Sequence, residues 1–239
     1  ELKKRWEETK VKLALGSTLP FILFKRIKID RNVHDPAFDK PPNVRRQRVA
    51  MEFVMDEGAK LGKVQIELFN DKVPQTCELF MTLVKGDAEG HGYCGTHVYR
   101  IVPNMFCCAG DVATDNGYGC YLPNGPYQPY LPENFDLRHT VPGVLSMIVS
   151  GDRAVGGQFN IIFKPLPQFD ERHVVFGRIV AGPEKTLDRI SALGMPLGVP
   201  WVNCKIRSCG YFTPHNIYKE GKHTTIKFPP KNLIRTNQV

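Results

Sequence analysis

No apolar run among the 239 residues approaches the roughly 20 that a membrane-spanning helix needs. The longest, such as VPGVLSMIV, reach about half that length, so no membrane span is expected. No glycine-rich turn stands between a strand and a helix in the arrangement that cradles phosphate, which leaves nucleotide chemistry without its motif. No internal repeat is visible, which excludes architectures built from repeated units. No signal peptide is visible either. The chain opens on ELKKRWEETK without a methionine, as a segment of a longer protein would, and a true targeting signal would then lie out of sight.

Cysteine does not come in pairs. The seven stand at Cys77, Cys94, Cys107, Cys108, Cys120, Cys204 and Cys209, several inside apolar patterns. An odd, scattered set suits reduced, buried thiols of the cytoplasm or nucleus better than a secreted disulfide framework. The nearest approach to metal-ligand spacing is HGYCGTH, with His91, Cys94 and His97. A zinc site needs about four ligands with the second pair close together. Cys107 and Cys108 could add one more, so ordinary buried or turn residues are the better reading and no metal is expected.

Hydrophobic residues make up 42% and charged residues 23%, ordinary for a chain that mostly folds. The middle lacks positive excess: residues 47–212 carry 15 Lys/Arg against 17 Asp/Glu. Residues 1–46 carry 12 against 6, and residues 213–239 carry 5 against 1, so the net +8 comes from the two ends. Basic arms around a near-neutral body suit docking onto something acidic: a nucleic-acid-containing assembly, a tubulin-like surface of the cytoskeleton, or anionic lipid. Solubilising tails are the plain alternative, since no aromatic-basic interleaving of the kind that stacks bases occurs.

Residues 1–15 have the imperfect apolar side of a short helix, through Leu2, Trp6, Val11 and Leu13. PFILFKRIKI follows as an extended apolar piece, and HDPAFDKPPNVRRQR is a proline-rich linker. RVAMEFVM alternates through Val49, Met51 and Phe53, and KVQIELF through Val64, Ile66 and Leu68. With Asp-Glu-Gly between them, they predict antiparallel strands. VPQTCELFMTLVKG places Val73, Cys77, Phe80 and Val84 at helical spacing, with Pro74 at the start and Gly86 at the stop. Short strands and turns fill about 93–180. GPEKTLDRISALG predicts a second helix with Leu187, Ile190 and Leu193 inward. VNCKIRSCG predicts a last strand with Val202, Cys204 and Ile206 inward. Many strands with two helices point to an antiparallel barrel plugged at its ends. The tail from 213 is expected to be extended and to order against a partner or the barrel.

At this point the residues resemble a family. GKVQIELFNDKVPQTCELFMTL, YRIVPNMFCCAGD, ENFDLRHTVPGVLSM, GGQFNI and RHVVFGRIVAG are similar, in order and spacing, to cyclophilin motifs. The resemblance covers roughly 47–212. It implies a mainly β fold, a closed eight-stranded antiparallel barrel capped by two α-helices, here with basic extensions over 1–46 and 213–239. It also implies peptidyl-prolyl cis/trans isomerase activity with no cofactor. An X–Pro amide faces a barrier of about 20 kcal/mol. A guanidinium that donates to the proline nitrogen of the twisted amide favours that state over the planar one, while an apolar pocket seats the ring.

Carried over by motif, Arg100 matches the catalytic arginine, Gln158 the glutamine that helps hold the substrate backbone, His173 the histidine at the pocket rim, and Gly117 a glycine at the neighbouring pocket. The other groove positions depart. Met105 and Phe106 stand where the family has Phe then Met. Cys108 replaces a backbone-holding glutamine. Ile148, Val149 and Ser150 replace Ala-Asn-Ala. Asn160 replaces the floor phenylalanine, Gln168 the rim tryptophan, and Phe169 the leucine after it. Losing the floor ring removes contact worth roughly 1–3 kcal/mol, and a thiol cannot replace an amide's hydrogen bonds. Three losses of about 1.4 kcal/mol each would slow the reaction about a thousandfold.

Arg100 can equally be a strand-end residue bonded to local carbonyls, His173 a strand-start residue, and Gln158 structural. Cys107 is read as core and Cys108 as groove. Trp201 is read as packing, and Trp6 as a partner contact. Three functions remain open: a cyclophilin-like binding or scaffold module with weak or absent isomerase activity, a working isomerase with altered proline-site preference, and a nucleic-acid-associated factor acting through its arms. The first is favoured. Its partners would be proteins, including proline-containing segments, and its place the cytoplasm or nucleus.

Overall fold

The structure, a computed structural model, describes residues 38–123, 129–151 and 153–228. The helix expected over 1–15, the apolar piece after it and the tail beyond 228 lie outside the described residues. No helix among the described residues is long and apolar enough to cross a membrane.

The Asp-Glu-Gly turn joins β1 (Arg48–Met55) to β2 (Lys60–Leu68) as an antiparallel pair. Gly58 supplies the φ of +90° that the turn needs, and its N–H donates to the Met55 carbonyl at 2.8 Å. Strand alternation then sorts the side chains, and Val49, Met51, Phe53, Val64, Ile66 and Leu68 share one core. Helix α1 (Pro74–Lys85) starts at its proline, stops before Gly86, and buries Cys77, Phe80 and Val84. The Phe80 ring lies 5.1 Å from Tyr93, 5.4 Å from Phe159 and 4.7 Å from Phe176, so the helix fills the interior with an aromatic cluster. That approach needs Gly157, where φ is +81° and a Cβ would stand 2.5 Å from Leu83 Cδ1.

The chain continues through β3 (Arg100–Val102), β4 (Phe106–Ala109), β5 (Val144–Val149), β6 (Val155–Ile162) and a 3₁₀ turn (Pro167–Phe169). Then come β7 (Val174–Ala181), α2 (Pro183–Ala192), β8 (Cys204–Phe212) and β9 (Tyr218–Glu220). Leu187, Ile190 and Leu193 face inward from α2 and its C-terminal end, as the spacing predicts. The strands pair antiparallel in the order β3-β4-β6-β5-β7-β2-β1-β8-β9.

Three expectations are corrected. Among the described residues the sheet has nine strands, because the tail adds β9 against Gly210–Phe212 of β8. The seam between β3 and β8 is not a continuous strand ladder. It is bridged by three backbone bonds: Gly95 N–H to Ile206 (2.7 Å), Ile206 N–H to Thr96 (2.9 Å) and Val98 N–H to Cys204 (2.8 Å). The last long strand starts at Cys204 rather than Val202, and a bulge opposite Glu52 and Phe53 moves its inward set from Ile206 to Cys209. Beyond β9 the tail continues over α1, where Lys222 N–H caps the Lys85 carbonyl at 3.0 Å and Thr224 N–H reaches the Cys94 carbonyl at 3.0 Å.

The proline-rich stretch before β1 is bonded to the barrel. Glu67, by alternation an outward residue of β2, is 0% exposed because residues 38–43 lie over it. Its carboxylate accepts from Arg178 Nε at 2.7 Å and from the Asn43 N–H at 2.5 Å. Arg178 in turn donates to the carbonyls of Phe38 (2.6 Å) and Lys40 (2.7 Å). The Phe38 ring meets Phe69 edge-on at 5.8 Å, and Arg46 forks onto Asp71 with two 2.8 Å bonds. Removing one partner from a buried pair leaves the other charge uncompensated. Arg178→Met is therefore expected to lower the unfolding free energy by about 3 kcal/mol in urea titration, and to release residues 38–43 to rapid amide exchange.

Candidate functional site

Three of the groove residues predicted from the motifs, Arg100, Cys108 and Asn160, lie on one row of the sheet, with Ser146 beside them. Arg100 of β3 pairs with Cys108 of β4, Cys108 with Asn160 of β6, and Asn160 with Ser146 of β5. Their strand neighbours Ile101, Cys107, Ile161 and Leu145 are in the core, so alternation sends the row to the outer face. Yet Cys108, Asn160 and Ser146 are buried there. The Cys108 thiol donates to Asn160 Oδ1 at 3.2 Å, and Asn160 Nδ2 stands 3.5 Å from the Ser146 hydroxyl. Burial pushes the Cys108 thiol up to about 12, against the opposing pull of the Arg100 charge, so no thiolate forms near neutral pH.

Gln158 is 8% exposed, and its amide is used at both ends. The Tyr99 hydroxyl donates to its Oε1 at 2.5 Å, and its Nε2 donates to the Gly119 carbonyl. Tyr99 fits because Gly117 has no side chain: φ there is +94° and a Cβ would meet the Tyr99 ring at 2.6 Å. The loop carrying Gly117 and Gly119 hangs from the buried Asp111 carboxylate. It accepts the N–H groups of Ala113, Thr114, Asn116, Gly117 and Gly119 and the Thr114 hydroxyl. Burial opposes the charge, but bonds from Thr114, Asn116 and Gly117 outweigh it and hold the carboxyl below its usual range.

The rim is aromatic where the floor is not. Phe106 meets Phe169 edge-on at 4.9 Å, and Phe169 lies between His173 (4.9 Å) and His139 (5.6 Å). The Arg100 guanidinium sits 5.7 Å from the centre of the Phe106 ring. Met105 packs half-buried on the core, and its carbonyl accepts from Phe163 at 2.8 Å. Burial, and secondarily electrostatic repulsion from the neighbouring His139 and Arg172 side chains, pushes His173 down to about 4, so its ring is neutral at pH 7. Its Nδ1 faces the Val149 N–H at 3.4 Å. Ile148 and Val149 are half-buried at the end of β5, while Ser150 and Gln168 are exposed. Arg100 is also exposed.

Sequence reasoning missed two features. Tyr99 heads the YRIVPNMFCCAGD motif, but its role appears only when Gln158 is brought across the sheet. Trp201, expected in packing, is 65% exposed, with Met195 (48%), Leu197 (90%) and Val199 (50%) on the same loop. The loop stands on Arg100: the Gly198 carbonyl accepts from Ile101 at 2.8 Å, and a Cβ on Gly198 would lie 2.9 Å from the arginine stem. The signal was present in MPLGVPW, large apolar residues alternating with Pro and Gly, which no strand could bury. The HGYCGTH trio does not converge. His91 faces Asp87 (3.0 Å) and Glu89 (3.8 Å), whereas His97 faces Asp115 (2.5 Å) and Asp56 (3.1 Å). Only Asp87, Glu89 and His91 group closely enough among the described residues to share an ion, and Asp87 already accepts from the Tyr121 hydroxyl at 2.8 Å.

With this barrel and row, the chain belongs to the cyclophilin-type peptidyl-prolyl cis-trans isomerase family, whose model matches residues 51–211. It is 35% identical over 157 residues to the human E3 SUMO-protein ligase RanBP2. That match takes in 66% of this chain and 5% of the relative, so the likeness is to a small part of a much larger protein.

The pKa of His173 carries a pH consequence. The unfolded ring takes its proton near pH 6.5 and the folded ring only near 4, so stability is complete above this window and falls as pH drops through it. A histidine NMR titration should place its midpoint below about 5, and His173→Gln should flatten the loss of stability between those pH values.

Proposed function

We propose that this cyclophilin domain works as a binding module of a larger assembly, with prolyl isomerase activity weak or absent. One observation supports the reading: side chains at the groove positions bond and pack against one another. Both ends of the Gln158 amide are bonded within the domain, and the Phe106 and Phe169 rings touch each other where a proline ring would need to enter. A substrate would have to part those rings to seat its proline, and each broken contact raises the barrier it is meant to lower. The exposed loop Met195–Trp201 offers apolar area of the kind that marks protein contacts. Burial of six of the seven free cysteines suits a reducing compartment, cytoplasmic or nuclear. The basic ends suit a partner with an acidic surface. Nothing in the RanBP2 likeness argues for ligase chemistry here, given the small share of that protein that is matched.

A standard Ala-Pro peptide assay tests this. Turnover about a thousandfold below an ordinary cyclophilin is expected, and turnover within about tenfold of one would overturn the reading. The exposed Gln168 offers no indole N–H at the rim, so cyclosporin should bind far more weakly than nanomolar in calorimetry.

The second reading, an isomerase with altered preference, is favoured by Arg100 alone, whose guanidinium is exposed beside Phe106. It requires that Arg100→Ala abolish whatever turnover the purified protein has. Unchanged turnover in that variant would sink it.

A further inference from the structure

A second concave surface shares no residue with the groove. Between the start of β1, the last turn of α1 and the β8–β9 turn lies a cleft of about 730 Å³, the size of sites that take small ligands or a few residues of peptide. Its walls carry Arg45, Arg46, Arg48 and Lys85 and no acidic residue, and its apolar part includes Met81, Tyr211 and Phe212.

Arg46 is already neutralised by Asp71 at 2.8 Å and approaches Glu67 at 3.8 Å. The side chains of Arg45, Arg48 and Lys85 have no carboxylate within ion-pair distance among the described residues. Three cations without an ion-pair partner among the described residues, set around one concavity, focus a positive potential into it. The strap that buries Glu67 fixes the backbone here, since Asn43 bonded to Glu67 also accepts the Arg45 N–H at 3.0 Å, and Asp71 holds the Arg46 side chain.

The aromatic faces decide what kind of anion fits. Lys85 Nζ covers the Tyr211 ring at 5.2 Å, and the Phe212 ring packs on Tyr218 at 5.5 Å. Nucleobases would need those faces free for stacking. Carboxylates need only the guanidinium and ammonium groups, and aliphatic side chains need only the edges of Met81 and Phe212.

We propose that this cleft docks a peptide segment of a partner protein that combines glutamate or aspartate with aliphatic residues. The proposal goes beyond the reading of the groove and stands if that reading falls.

The test uses the full chain and a fluorescent peptide alternating glutamate and leucine, with oligothymidylate as the nucleic-acid probe. Saturable peptide binding is expected, weakening severalfold as salt rises from about 50 to about 300 mM. Arg45→Glu, Arg48→Glu and Lys85→Glu together should weaken it by about tenfold or more, and the Met81 methyl signal should shift on titration. If the triple variant loses its circular dichroism signal, Arg45→Glu alone should still weaken binding about threefold. Equal affinity in a folded triple variant would overturn the proposal and assign binding to the arms. Tighter oligothymidylate binding that the same variant abolishes would assign the cleft to nucleic acid. A Met81 signal that moves with protein concentration or on removal of residues 1–37, rather than with peptide, would give the cleft to a second copy or to this chain's own terminus. Absence of saturable binding at the lower salt would end the proposal.

Discussion

The amide of Gln158 stands between three parts of the molecule that the chain keeps far apart. Its oxygen takes the Tyr99 hydroxyl from the approach to β3, and its nitrogen is bonded to the Gly119 carbonyl of the loop built around Asp111. A buried amide left unpaired costs about 1–3 kcal/mol, so this pairing holds as long as the loop keeps its shape. The loop's shape depends on a single carboxylate, which gathers five backbone N–H groups. The groove wall is thus a connected hydrogen-bonded unit that fixes how the Gln158 amide is presented, with one N–H and one oxygen lone pair of that amide unspent.

The same economy governs the floor. Replacing a ring by Asn160 would leave a void and an unsatisfied amide if nothing else changed. Here the amide oxygen takes the Cys108 thiol, and aromatic area returns from the rim through Phe106 and Phe169. Cys108 and Asn160 thus bond to each other, and Phe106 and Phe169 pack on each other.

On the other side, the buried Glu67–Arg178 pair fastens the strap of residues 38–43 across β2 and β7. Its effect is directional. The chain enters β1 with Arg45, Arg46 and Arg48 held beside α1 and the β8–β9 turn, so a stretch of arginines that composition alone would call a solvated run becomes part of a shaped surface. The tail contributes from the opposite end, capping α1 and closing the turn that forms the far wall.

Strand alternation, the two helices with their Pro starts, and five motifs in register were legible along the chain, because each depends on neighbours within a few residues. The groove positions could be proposed by motif, but not the state of their side chains. Nothing local to Gln158 tells that Tyr99 and Gly119 will occupy it, nor does anything near Glu67 tell that a proline-rich strap will bury it. Trp201 illustrates the reverse: its apolar character argued for packing, but a loop of alternating Pro and Gly lifts it out of reach of the core. Local periodicity fixes which face a side chain takes, since that follows from backbone geometry alone. Whether that face is open, filled or charged is decided by segments distant in sequence, because burial and hydrogen-bond pairing are properties of what arrives from elsewhere.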